Sequence, residues 1–150
     1  MQISSRFTIA IHIFACAHTF CGQFKLTSDF IASSVNCNPV IIRKILQQLK
    51  AAGLVTVTRG TGGVEPAHPI EEITLLDIFR AVDSIEDGQL FHFHENPNTD
   101  CPVGRNIHHG LDDKLTAIQS ALEASMQGIT IADVVRDTQK YIESEGREAI

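Results

Sequence analysis

The earliest pattern along the chain is helical. Phe7, Ala10, Ile11, Phe14 and Ala17 recur at the i, i+3, i+4, i+7 spacing of one helix face, behind Ser4 and Ser5, either of which can cap the first turn. Ile9 and Ile13 widen that face until little polar surface remains, so this helix is expected to be buried by several neighbours, a second subunit among them. Thr27 or Ser28 caps a short second helix holding Phe30, Ile31, Ala32 and Val35, and Asn36-Cys37-Asn38 makes a tight turn. Asn38-Pro39 reads as N-cap and first position of a third helix, because proline lacks only a donor that is unpaired there in any case. Ile42, Ile45, Leu46 and Leu49 form its core stripe up to a stop at Gly53. Asn38, Val40, Ile41, Arg43, Lys44, Gln47 and Gln48 are left outward.

Leu54 to Thr58 is rich in β-branched residues and reads as a strand. Arg59-Gly60-Thr61-Gly62-Gly63 turns it into a short return strand ended by Pro66. Helix, short helix, turn, helix and hairpin in this order predict a mostly α fold with a small β-hairpin wing, a winged helix-turn-helix occupying residues 1–83 together with a further helix opened by Thr74 and Asp77. Residues 84–101 are polar, contain Gly and Pro, lack periodicity and read as a loop. Val103, Ile107, Leu111, Leu115, Ile118, Leu122 and Met126 then recur at steps of three and four, marking a helix of roughly 25 residues that Gly128 ends. At 1.5 Å per residue it spans nearly 40 Å, more than one small winged domain covers. Its stripe therefore calls for a second subunit, and residues 102–145, with a final helix opened by Thr130 and Asp133 and carrying Val134, Val135 and Tyr141, are expected to be dimerisation helices.

Composition narrows the class. The chain has 150 residues, 43 % hydrophobic and 20 % charged, which suits one folded domain and excludes a charge-rich disordered chain. No run approaches the roughly 20 apolar residues of a membrane span, and no signal-peptide pattern follows Phe14, so no membrane partner and a cytoplasmic location are expected. Cys16, Cys21, Cys37 and Cys101 lack paired CxxC spacing and are expected to be reduced thiols.

The net charge of −6 conceals a split. Residues 1–66 carry six Lys/Arg against two Asp/Glu, a net of +4, while the rest carry six against sixteen, a net of −10. A basic front and an acidic back are what a chain shows when only its front meets polyphosphate. In a helix-turn-helix the second helix enters the major groove by its N-terminal end, where Asn38, Val40, Ile41, Arg43 and Lys44 stand. Asn can pair with adenine, Arg with guanine, and Val or Ile can meet a thymine methyl. Arg59 at the hairpin tip suits a minor groove. Ser28 and Thr61 complete the expected DNA-binding set, with double-stranded DNA as partner.

Several segments together resemble the Rrf-two family of bacterial transcription regulators. They are Ser33-Ser34-Val35-Asn36-Cys37-Asn38-Pro39-Val40-Ile41-Ile42-Arg43-Lys44-Ile45-Leu46, Ala52-Gly53-Leu54, the wing from Arg59 to Gly63, Ile73-Thr74-Leu75-Leu76-Asp77-Ile78 and Cys101-Pro102-Val103-Gly104-Arg105-Asn106-Ile107. The resemblance covers residues 1–145 and implies a homodimer on a partly palindromic operator, usually a repressor, with the long helix at the interface. Cluster-binding relatives supply three cysteines from the loop before that helix; here only Cys101 remains, so a three-cysteine iron–sulfur site is absent and no cofactor is expected.

Cys101 falls at the expected N-cap of the long helix, where the helix dipole and unpaired N–H groups favour a thiolate while Asp100 opposes it. Similarity to the hypochlorite-sensing members implies a disulfide between Cys37 and Cys101 of the partner subunit; two unreactive thiols are the alternative. Cys16 and Cys21 read as buried structural cysteines. His92, His94, His108 and His109 with Cys101 offer enough nitrogen and sulfur for zinc, and His12 stands where some family members hold an atypical cluster. Their spacing is loose, and ordinary surface histidines are the simpler reading. Control by a bound protein or small molecule is the remaining alternative. A cysteine enzyme is not expected, because His108 and His109 lie about two helical turns from Cys101.

Overall fold

The computed structural model describes residues 3–58, 63–82 and 88–146. Six helices and one hairpin follow in the order α1 (Ser5–Thr19), α2 (Ser28–Val35), α3 (Pro39–Ala51), β1 (Val55–Thr58), β2 (Gly63–Pro66), α4 (Leu75–Val82), α5 (Pro102–Gln127) and α6 (Ile131–Ser144).

Local chemistry sets most of these boundaries. Ser4 caps α1, its hydroxyl accepting the Arg6 N–H. Thr27, not Ser28, caps α2 by accepting from Phe30, so Ser28 is the first helical residue. Asn36 ends α2 in the left-handed region at φ 62°, a conformation Asn tolerates, and the turn closes with Cys37 N–H donating to the Ala32 carbonyl. Strands β1 and β2 are antiparallel, pairing Val55 with Pro66 and Thr58 with Gly63. Gly63 sits at φ 84° with the Leu26 backbone close enough to meet a side chain there, so only glycine fits without strain. The hairpin tip, with Arg59 and Thr61, lies outside the described residues.

Two capping boxes tie the back of the molecule together. Thr74 and Asp77 at the start of α4 exchange backbone and side-chain hydrogen bonds at 2.9 and 3.2 Å, and Thr130 and Asp133 repeat the arrangement at the start of α6. Thr74 and Thr130 also form an antiparallel bridge, flanked by the Leu75 N–H donating to the Ile129 carbonyl and Ile131 N–H to Ile73. Helix α6 is thereby anchored beside α4 and lies along α1.

Helix α1 is the hub. It is flanked by α2, α3, α4, α6 and β2, and it buries Ala10, Ile13, Phe14, Cys16 and Ala17 against Ile31, Ile42, Ile45, Leu49, Ile78 and Ile131. A second small core joins Leu76 and Phe79 of α4 to Leu90 and Met126, with Phe7 edge-on to Phe79 at 5.6 Å. Helix α5 is different: of its 26 residues only Met126 is buried, while Val103 is 69 % and Ile118 53 % exposed.

Candidate nucleic-acid interface and sensor thiol

The Asn36-to-Asn38 turn presents α3 with its core stripe Ile42, Ile45, Leu46 and Leu49 buried and its other side open. Val40 and Ile41 are exposed at the first turn, 47 % and 39 %, on a helix whose remaining large apolar side chains are all buried. Two bare aliphatic side chains at the tip of a presented helix suit contact with another molecule rather than packing within the chain. Lys44 and Arg43 are exposed beside them. Arg43 Nη2 lies 3.7 Å from an Asp29 carboxylate oxygen on α2, a contact between exposed groups that screening makes weak. Asn38 has a local duty as well: its Oδ1 accepts the Val40 N–H at 2.9 Å, leaving Nδ2 as its donor to an incoming base. Gln48, read as outward from the periodicity, is half-buried with its Oε1 enclosed.

The candidate thiols separate by environment. Cys101 is the N-cap of α5 and is exposed, with its side chain making no capping bond. The backbone N–H groups of Gly104 and then Val103, in the first turn of α5, hold its pKa below the ordinary thiol range. Neighbouring backbone fixes this geometry. The Asn98 carbonyl accepts the Cys101 N–H, Asn98 Oδ1 accepts from Asp100, and the Asn98 backbone crosses α5 where Gly104 has no side chain to obstruct it. Periodicity carried no signal for Asn98 or Gly104 as positioning residues; a helical glycine two places after a proline was the one visible hint.

Cys37 is half-buried in the turn, its thiol 3.7 Å from the Asn38 carbonyl. Cys16 is buried, hydrogen-bonded to Ser34 at 3.5 Å, and burial raises its pKa. Cys21 departs from expectation: it is exposed, because α1 has already ended at Thr19 and the chain turns outward.

The histidines do not converge on a metal site among the described residues, although the His94 and His108 rings lie 5.2 Å apart. His12 Nε2 lies 2.9 Å from the Ser34 hydroxyl, and burial lowers its pKa. His92 and His94 are exposed on the loop, and the His94 carbonyl is held by His108, which also meets Asp112 at 3.0 Å. Among the described residues no three of His, Cys, Asp and Glu come together as metal ligands.

A short helix, a three-residue turn and a presented helix, with a hairpin at its far end and basic and apolar side chains at its leading end, define a winged helix-turn-helix DNA-binding protein. The chain belongs to the Rrf2 family, whose description, "Iron-dependent Transcriptional regulator", matches residues 3–137. It is thus a DNA-binding transcription regulator, and its relatives are regulators rather than enzymes. YwnA of Bacillus subtilis (strain 168), named as an HTH-type transcriptional regulator, is 38 % identical over 134 residues, spanning 89 % of this chain and 97 % of its own. A solved structure of a protein described as DNA-binding shares 32 % identity at a TM-score of 0.68, covering 87 % of this chain and 98 % of that one. CymR, described as the global cysteine regulator of B. subtilis, has the same fold at 20 % identity and a TM-score of 0.67, over 91 % of this chain and 97 % of its own.

The family description names iron, and this chain's donors fit it poorly. Segment 88–101 offers the single thiol Cys101, and His12 is engaged by Ser34. The described residues of the chain do not assemble a three-ligand iron or cluster site. No helix of the described residues is long and apolar enough to cross a membrane.

Proposed function

We propose that the protein is a homodimeric repressor whose hold on a partly palindromic operator is set by oxidation of Cys101. Residues 1–83 read DNA and residues 102–145 join the subunits. Asn38 Nδ2, Val40, Ile41 and Arg43 face base edges, Lys44 and Ser28 face phosphates, and Arg59 with Thr61 reach from the wing. Val103 and Ile118, exposed on α5, support the dimer reading, since an apolar stripe on so long a helix gains by meeting its own copy.

The observation that carries the redox reading is an exposed Cys101 thiol at the N-cap of α5, where the first-turn N–H groups of Gly104 and Val103 lower its pKa. A thiolate there attacks the chlorine of hypochlorous acid, giving a sulfenyl chloride and releasing hydroxide. The thiol of Cys37 in the partner subunit then displaces chloride, losing its proton and closing an S–S bond; the two sulfurs surrender two electrons, and chlorine leaves reduced. Cys37 lies in the turn that aims α3, so a tether there re-aims the reading helix.

Non-reducing electrophoresis before and after mild hypochlorite, run beside Cys37→Ser and Cys101→Ser and followed by DNA retardation, tests this. A covalent dimer needing both cysteines, with changed DNA affinity, is expected. An oxidant response that survives Cys101→Ser overturns it.

A second reading has one structural support. An open, largely apolar cavity of about 370 Å³ lies between α1 and α6, lined by Ile11, Ala15, Phe20, Val134 and Ile142, with His12 and Ser34 on its wall. A small-molecule effector would fit it, and DNA affinity that ignores oxidants but responds to a cell extract's low-mass fraction favours this reading.

A further inference from the structure

The start of α1 and the middle of α3 lie side by side, and Arg6, Lys44, Gln47, Gln48 and Ala51 line an open notch of about 370 Å³ between them. Among the described residues no acidic side chain lines it. Arg6 and Lys44 are exposed, and neither forms an ion pair among the described residues, whereas Arg43 on the other flank of α3 is engaged by Asp29. Gln48, one of the lining residues, has its Oε1 buried with no hydrogen-bond partner among the described residues. Two unneutralised cations with side-chain amides between them match a phosphodiester, which needs donors and positive charge but no fixed base edge.

The position along α3 decides which phosphate is meant. At 1.5 Å per residue, Lys44 lies about 9 Å and Gln48 about 15 Å beyond Asn38 along the helix axis. The major groove is roughly 12 Å wide, so a helix entering by its Asn38 end meets the bordering sugar-phosphate strand at the level of this notch. We infer that Arg6, with Lys44 and Gln47, forms a DNA-backbone subsite outside the helix-turn-helix, which clamps a phosphate of the strand bordering the groove. This rests on the reading of α3 as the groove-entering helix. Gln48 Oε1 serves the subsite from behind, as an acceptor for the Arg6 guanidinium when it turns inward, which leaves the outer N–H groups for the phosphate.

The full-length protein should be titrated onto a mixed-sequence duplex of about 30 base pairs by fluorescence anisotropy at several salt concentrations, since a phosphate contact needs no particular operator. Arg6→Gln is expected to weaken binding several-fold and reduce the slope of log K against log salt by about 1; Arg6→Lys is expected to restore most of the slope. Lys140→Gln on α6, which removes the same charge from a side chain that does not line the notch, should leave the slope unchanged. Equal losses in Arg6→Gln and Lys140→Gln, an Arg6→Lys that behaves like Arg6→Gln, or an unchanged Arg6→Gln slope each overturn the subsite. A wild-type protein that binds no duplex at low salt overturns the DNA reading itself, which separates the two failures.

Discussion

Helices α3 and α5 carry apolar stripes of the same kind and end differently. The α3 stripe, Ile42, Ile45, Leu46 and Leu49, is wholly buried by α1, α4 and β1 within one chain. Along α5 only Met126 is buried; Val103 and Ile118 stand in solvent, and Leu111, Leu115 and Leu122 are half-covered. The same amphipathic pattern thus specifies an intramolecular core where the chain folds back on it, and an open face where one helix outruns its own domain. The α3 stripe is covered within the chain, and most of the α5 stripe is not.

The largest effect separating these regions is in stability. Leu49→Ala should cost about 3 kcal/mol in denaturant unfolding, independent of protein concentration, because it empties a fully enclosed site in the α1–α3 core. Ile118→Ala in dilute protein should cost less than about 0.5 kcal/mol, as an exposed truncation does. Equal losses at the two sites would break the comparison.

Next comes association. Ile118→Glu places a charge on the open stripe and should shift sedimentation from dimer to monomer while the helical circular dichroism signal stays. A dimer that persists would put the subunit interface elsewhere.

The smallest effect sharpens how the two halves are joined. Thr130→Ala removes one capping box and should lower stability by about 1 kcal/mol. The pH dependence has a fixed sign. The Thr130 backbone N–H, then its hydroxyl contact and Arg136, hold the Asp133 carboxyl below its ordinary range. Its contribution is therefore full above the unfolded carboxylate value and is lost as pH falls through the lowered folded value. Asp133→Asn, which removes the titrating carboxyl, should flatten that acid limb, whereas Thr130→Ala, which keeps the backbone donor, should leave most of it; an unchanged limb in Asp133→Asn would assign the acid dependence to another group.

Much of this was legible in the residues. The caps at Ser4, Asn38, Thr74 and Thr130, the glycine after α3 and the extent of α5 are local events, each governed by a handful of neighbouring atoms. The exposed face of α3 was legible for the same reason, since a 3.6-residue period separates buried from exposed positions without knowledge of the neighbouring helices. Arg6 was not legible as part of that face, because it stands 38 residues from Lys44 and only the packing of α1 on α3 brings them to one notch. The pairing of Arg43 with Asp29 and the enclosure of Gln48 Oε1 are equally non-local. Cys21 was misjudged as buried: its neighbours are apolar, but α1 stops before it and no element covers it.

By itself the sequence determined the element order, the helix ends, the presented helix and the placing of Cys101 at a helix N-terminus, because periodicity, capping and turn chemistry act over fewer than about ten residues. Tertiary structure alone decided that Asn98 and Gly104 shape the approach to the Cys101 sulfur, that His12 is spent on Ser34, that α1 and α3 share a basic notch, and that the α5 stripe stays open. Each of those depends on which distant surfaces meet. Burial, charge proximity and close backbone approach are properties of the assembled chain, and no local pattern encodes them.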